Sequence, residues 1–263
     1  MAQLKDFLPP PETILDLEAE EVAVFLLEYL CNEQQPAGRP LNRTGFNGIV
    51  LYNLVSGNQI AQYAPQHDSD EVGKAITEAW SWLETEGMLA PHPGHSTGHV
   101  AYVTKKGFKH RRRIDLEIYL KAKLLPKQSL DKSILDNVYP LFLRGQYDTA
   151  VFQAFKEVEV RVRNKTELSN DSIGVKLMAA AFRAGSGILT NLDVPEAEQQ
   201  ALCQIFTGSI GIFKNPSSHR EIDYNNPNEA AEIILFANYL IRLVDKCTVN
   251  ARGAQAVPIE SEK

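Results

Sequence analysis

Cysteine is scarce: Cys31, Cys203 and Cys247 are the only three in 263 residues, and they lie far apart. No two of them have the close spacing of a zinc or redox motif, so a disulfide framework and a structural zinc site lack support. Buried, reduced thiols of a cytoplasmic protein are expected instead. Long apolar runs are also missing, since no window approaches the ~18 uninterrupted apolar residues of a membrane span. The acidic start MAQLKDFLPPPETILDLEAEE lacks the basic end and apolar stretch of a secretory signal. A soluble chain without membrane contact is the expectation. No glycine-rich phosphate loop follows a strand and no Gly-x-Ser-x-Gly occurs, which leaves nucleotide and serine hydrolysis unsupported. Positive charge is not in excess either: 27 Lys and Arg against 33 Asp and Glu give −6, which argues against indiscriminate coating of nucleic acid.

What is present is a globular composition, 44% hydrophobic and 23% charged, long enough at ~150 residues per domain for two domains. The charge is segregated. Residues 1–30 sum to −6, residues 31–127 to +3 and residues 128–250 to −3, while the tail cancels. The positive excess lies almost wholly in Lys105 to Lys127, where nine Lys and Arg face only Asp115 and Glu117.

Periodicity predicts a helix over Glu20–Cys31, with Val22, Phe25, Leu26, Tyr29 and Leu30 on one face, and a second apolar stretch at Phe46–Val55. Asp68 and Glu71 have the spacing of a capping box and open a third helix with the core stripe Val72, Ala75, Ile76, Ala79 and Leu83. A Gly, Pro and His-rich loop over Pro91–His99 follows, then β-prone Val100–Val103 and Thr104–Gly107. Residues 114–130 read as a helical connector that ends near Leu125-Pro126.

Beyond the connector the pattern is wholly helical. Gln146–Asn164 carries Val151, Ala154, Phe155, Val158 and Val162 on one face, and Ser172–Phe182 makes a shorter helix. Asp193 and Glu196 frame a capping box for a helix through Phe213, with Leu202, Ile205, Phe206, Ile210 and Phe213 inward. Gly208 and Gly211 there would admit a close neighbouring backbone. In the last helix Asn226 is the N-cap and Pro227 the first helical residue. Its seam of Ala230, Ile233, Ala237, Leu240, Val244 and Cys247 is either intramolecular core or a dimer face. The ending ARGAQAVPIESEK reads as a polar tail.

The sharpest chemical feature is Phe213-Lys214-Asn215-Pro216-Ser217-Ser218-His219-Arg220. Lys214 and Arg220 could neutralise phosphate oxygens and Asn215 could donate hydrogen bonds. His219 titrates near neutral pH and could move a proton to or from a ribose 2′-hydroxyl or a leaving oxygen. Such a set needs no metal or other cofactor. The same residues could instead only turn the chain and cap the helix end. Arg161, Arg163 and Lys165 would line an RNA groove or form a salt-bridged helix face. His92, His95 and His99 read as a hairpin tip, with no Cys or carboxylate beside them to complete a metal site.

Two resemblances organise these readings. Three helices followed by a hairpin, with Trp82-Leu83-Glu84-Thr85-Glu86-Gly87-Met88-Leu89 and Tyr102-Val103-Thr104-Lys105-Lys106-Gly107, resemble a winged helix-turn-helix over residues 1–113. Within a helical domain at 131–248, before a flexible tail at 249–263, the stretch from about Leu135 to Cys247 resembles the uncharacterised bacterial and phage family labelled hypothetical Ymh. The resemblance rests on Leu143 to Val151, on Leu177-Met178 with Ala181-Phe182, on Phe206 to Gly211, and on Asn215-Pro216 with His219.

That family is in turn similar to the HEPN superfamily of all-α bundles, many of them metal-independent ribonucleases with an Arg followed after four to six residues by His. The resemblance implies a mainly α fold and a catalytic set of Lys214, Asn215, His219 and Arg220. It further implies a homodimer in which two motifs meet, RNA as substrate, and a role in anti-phage defence or toxicity with a partner protein. Lys214 stands where arginine is usual and offers a point charge without the bidentate fork. Duplex DNA is the other nucleic-acid expectation, to be held by Lys74, Lys105, Lys106, Lys109, Arg111, Arg112 and Arg113. On that reading the protein is a non-enzymatic regulator or interaction module whose helical domain only dimerises.

Overall fold

The computed structural model describes residues 4–33, 41–42, 64, 69–93, 100–214 and 224–250. The chain divides into two compact units, Met1–Leu120 and Lys121–Lys263. Both are mainly helical. The expected apolar stretch at Phe46–Val55, the cap at Asp68 and the tail lie outside the described residues.

In the first unit, helices α1 (Pro11–Asp16), α2 (Ala19–Glu33) and α3 (Ser69–Thr85) pack around a small sheet. Val22, Ala23, Leu26, Leu27 and Leu30 of α2 meet Val72, Ile76, Ala79, Trp80 and Leu83 of α3 in one buried cluster. The helical period places both sets on facing stripes. Trp80 joins this core beyond the expected stripe, and Ala75 is only half-buried.

Gly87 ends α3 with φ 68°. Its N–H donates to the Glu84 carbonyl and that of Met88 to Leu83, a Schellman closure that needs a left-handed residue. Strands β1 (Leu41–Asn42), β2 (Leu89–Pro91) and β3 (Val100–Val103) form an antiparallel sheet in the order β1-β3-β2. Leu89 lies opposite Val103, and Pro91 opposite Ala101 on the edge strand, where its missing N–H is tolerated.

One sequence expectation fails here: Thr104–Gly107 is not a strand. Residues Lys105–Lys109 form a short helix, α4, because the Thr104 side chain accepts the Gly107 N–H at 3.1 Å and caps it. Lys105, Lys106 and Lys109 therefore sit on a helix, and the hairpin is β2 with β3. Helix α5 (Arg113–Leu124) follows, and its Leu116 is fully buried in the first core.

The second unit holds α6 (Lys132–Asn137), α7 (Tyr139–Leu143), α8 (Tyr147–Thr166), α9 (Gly174–Phe182), α10 (Glu196–Ser209) and α11 (Pro227–Lys246). Helix α10 runs on through a π-helical turn, Ile210–Lys214. Central to the bundle, α8 buries Val151, Ala154, Phe155, Val158 and Val162, the stripe read from the sequence, against α9, α11 and the π turn. Phe182 of α9 stacks on Phe206 of α10 with ring centroids 4.0 Å apart. Asn226 caps α11 by accepting the Asn228 N–H at 2.9 Å.

Three details depart from expectation. Asp193 does not cap α10: the residue before the helix is Pro195, with no side-chain bond, and the Asp193 N–H is held by Asn191 Oδ1. Ile205 points outward at 45% exposure while Phe206 and Ile210 take the core. Among the described residues a Cβ on Gly208 would meet nothing within 4 Å, and on Gly211 only Val175 Cγ2 at 4.0 Å, so neither glycine admits a described backbone. The α11 seam is intramolecular core, and Ala231, Ile234, Asn238 and Ile241 share its buried face, with Ile233 and Cys247 only half-buried.

Candidate functional site

Glu159 lies on the inner side of α8, between Phe155 and Val162, and is buried. A carboxylate in such a place needs partners. Its Oε1 accepts from Arg163 Nη2 at 2.8 Å, one helical turn on, and its Oε2 accepts from Lys214 Nζ at 2.9 Å. Burial pushes the Glu159 carboxyl up, but the hydrogen bonds and charges of Lys214 and Arg163 outweigh it and hold the group below the usual glutamate range. Arg163 Nη2 also donates to the Ser172 carbonyl at 3.0 Å, and the Arg163 Nε is buried without a partner among the described residues.

Two cations thus hold one buried carboxylate at the end of the π turn. Phe213, just before Lys214, stacks on Phe155 at 4.9 Å and meets Phe236 edge-on at 6.4 Å. The turn is thus fixed by an aromatic contact and then by an ion pair. Lys214 is placed by this arrangement, while Asn215, His219 and Arg220 lie outside the described residues.

Glu159 was not singled out from the sequence. Its signal was a carboxylate interrupting an apolar stripe, which implies a buried cationic partner. The neighbouring cations are structural. Arg161 bridges Asp131 at 2.8 Å and Asp245 at 2.6 Å, and Lys165 Nζ donates to the Val244 and Asp245 carbonyls at the end of α11. They form the salt-bridged face, not an open groove.

In the first unit the expected nucleic-acid contacts separate into two groups. Lys106 Nζ donates to the Glu86 carbonyl at 2.6 Å and to Tyr119 Oη at 2.9 Å, and lies over the Tyr119 ring. Arg113 pairs with Glu28 at 2.6 Å, donates to the Phe7 carbonyl and covers the Phe25 ring. Both hold the unit together. Lys74 pairs with Asp70 on its own helix and is exposed, where such a pair adds little.

The second group faces water. Lys105, Lys109 and Arg111 are exposed and make no hydrogen bond or ion pair among the described residues. Arg112, also exposed, grips Asp115 through two bonds of 2.7 Å, and that bond draws the Asp115 carboxyl down.

Cys31, Cys203 and Cys247 are free. Burial pushes the Cys31 thiol up to about 12 and raises the other two, so none is an activated nucleophile. His92 meets Tyr102 edge-on at 6.2 Å, while His95 and His99 lie outside the described residues. No cluster of three or more metal-ligating side chains occurs among the described residues, and no described helix is long and apolar enough to cross a membrane.

Residues 128–244 match a family described as a protein of unknown function, Hypoth_Ymh. The match spans α6 to all but the end of α11 and includes Glu159, Arg163 and Lys214. No curated protein and no solved structure matches the chain.

Proposed function

We propose that the helical unit is a metal-independent ribonuclease of the HEPN kind, acting as a homodimer in anti-phage defence or as a toxin. The observation that carries this reading is the Arg163–Glu159–Lys214 cluster, which fixes the Lys214 ammonium at the base of the segment bearing Asn215, His219 and Arg220. A buried cation next to a histidine-bearing segment suits a reaction in which negative charge builds on phosphate. His219 takes the proton of a ribose 2′-hydroxyl, whose oxygen attacks the adjacent phosphorus. The bond to the 5′ oxygen breaks and that oxygen leaves with the proton returned by His219. Arg220 and the Lys214 cluster stabilise the phosphate, and Asn215 orients it.

The products would be a 2′,3′-cyclic phosphate and a 5′-hydroxyl. Incubating the purified full chain with RNA and mapping the ends tests the reading, with His219→Ala expected to abolish cleavage at unchanged melting temperature. Cleavage that survives this substitution removes the proposed role.

A second reading is favoured by the exposed Lys105, Lys109, Arg111 and Arg112 within eight residues. The first unit then acts as a winged helix-turn-helix that binds duplex DNA, and the helical unit serves only to dimerise a regulator or interaction module. Salt-steep duplex binding without RNA cleavage would establish it.

A further inference from the structure

Away from Lys214, at the opposite end of α10, a cavity of about 300 Å³ opens where the loop after α9 meets the first turns of α10. That volume is at the small end of ligand pockets and suits one ring system. Its wall is apolar, built from Phe182, Val194 and Leu202. The stack on Phe206 holds Phe182 in place.

The polar lining divides into groups that are spent and groups that are not. Gln199 is buried and both ends of its amide are used: Oε1 accepts the Gly185 N–H at 2.8 Å, and Nε2 donates to the Val194 carbonyl at 2.9 Å. Thr190, also buried, donates to the Arg183 carbonyl at 2.9 Å. These bonds fix the loop, so the cavity is formed before anything enters it. Glu198 and Asn191 stand at the exposed rim. Among the described residues the Glu198 carboxylate has no hydrogen bond or ion pair, and Asn191 uses only its Oδ1, which accepts the Asp193 N–H at 3.0 Å. The rim thus offers acceptor oxygens from Glu198 and donor hydrogens from Asn191 Nδ2.

An occupant that satisfies all of this is flat and largely apolar, with paired donors for the carboxylate beside an acceptor for the amide. Among the nucleic-acid bases guanine has this edge, because N1–H and the N2 amino group are adjacent donors and O6 is the acceptor next to them. Adenine and cytosine each set a ring-nitrogen acceptor beside the amino group, which a carboxylate repels, and uracil has a single N–H. An aliphatic amine would satisfy Glu198 and leave Asn191 Nδ2 without an acceptor.

We infer that this cavity is a guanine-binding site, in which the base lies against Phe182, Glu198 accepts from N1–H and the N2 amino group, and Asn191 donates to O6. A free guanine nucleotide and a guanine of single-stranded RNA present the same edge. The inference does not rest on the ribonuclease reading, since the cavity shares no residue with the segment bearing His219.

Calorimetric titration of the full chain with guanosine monophosphate is expected to show saturable binding, with adenosine monophosphate at least tenfold weaker and inosine monophosphate, which lacks the N2 amino group, between them. Glu198→Ala lowers the guanine affinity about tenfold or more and melts as wild type, because Glu198 holds nothing in place. Glu232→Ala, exposed on α11, is the control that leaves binding unchanged. A guanine-containing single-stranded RNA, set beside one without guanine, separates the sources. Tighter binding of the guanine-containing RNA than of the mononucleotide assigns the site to RNA, and a mononucleotide that binds as well as that RNA assigns it to the free nucleotide. No saturable binding of either at millimolar concentration, equal affinity for the guanine and adenine nucleotides, or an affinity indifferent to Glu198→Ala overturns the proposal. His219→Ala should bind guanosine monophosphate as wild type does, so failure of the nuclease reading leaves this one standing.

Discussion

Lys214 Nζ lies 2.9 Å from Glu159 Oε2 across fifty-five residues of sequence, and Arg163 occupies the other oxygen of the same carboxylate. Removing that charge leaves two cations facing each other in a buried site. Glu159→Gln is therefore expected to destabilise the helical unit by about 3–5 kcal/mol, the cost of breaking a buried pair from one side. Denaturant unfolding of the full chain checks this. A loss below about 1 kcal/mol would show that water screens the pair.

The same carboxylate sets a pH signature. Its folded value is lowered by Lys214 and Arg163 despite burial, so the stability it contributes is complete above the unfolded glutamate value of about 4.3. That stability is lost as pH falls through the lowered folded value. The stability gap between wild type and Glu159→Gln is expected to be constant from pH 8 to 5 and to narrow below about pH 4. Thermal melts across that range test it, and a gap that persists to pH 2.5 contradicts the assignment.

Local signals were legible in the sequence, and distant ones were not. The stripe of α8, the glycine that closes α3 and the Asn226 cap all depend on residues within a few positions of one another, where helical period and backbone freedom decide the outcome. The Glu159–Lys214 pair depends on α8 meeting the π turn, which no local period encodes. Ile205 was read as inward because its spacing fits a helix face, yet Phe206 and Ile210 won the core by stacking on Phe182 and burying beside it. The composition of Thr104–Gly107 suits a strand, whereas Thr104 follows β3 and caps α4.

That junction is tightly packed. A Cβ on Gly107 would stand 2.5 Å from the Met88 carbonyl oxygen and 2.6 Å from Val103 Cγ1. Gly107→Ala forces α4 away from the sheet and is expected to cost about 1–3 kcal/mol. Thr104→Ala removes the cap to Gly107 and a 2.8 Å bond to the Gly87 carbonyl, at about 1 kcal/mol. Chemical denaturation gives both values, and the glycine substitution should be the more damaging.

The two groups of cations in the first unit should respond differently to substitution. Lys106 and Arg113 are bound to Glu86, Tyr119, Glu28 and Phe7, so replacing either with Ala is expected to lower the melting temperature of the unit. Lys105, Lys109 and Arg111 hold nothing in place, so their Ala variants should melt as wild type. If they contact phosphate, each released contact reduces the slope of log affinity against log salt by about 0.9 on duplex DNA. The triple variant should therefore lose nearly three units of slope while keeping its stability. A titration of labelled duplex at several salt concentrations, run beside melts of the same proteins, separates the cases. An unchanged slope in the triple variant would remove α4 and Arg111 from any nucleic-acid interface, because no structural bond of theirs could mask a lost phosphate contact.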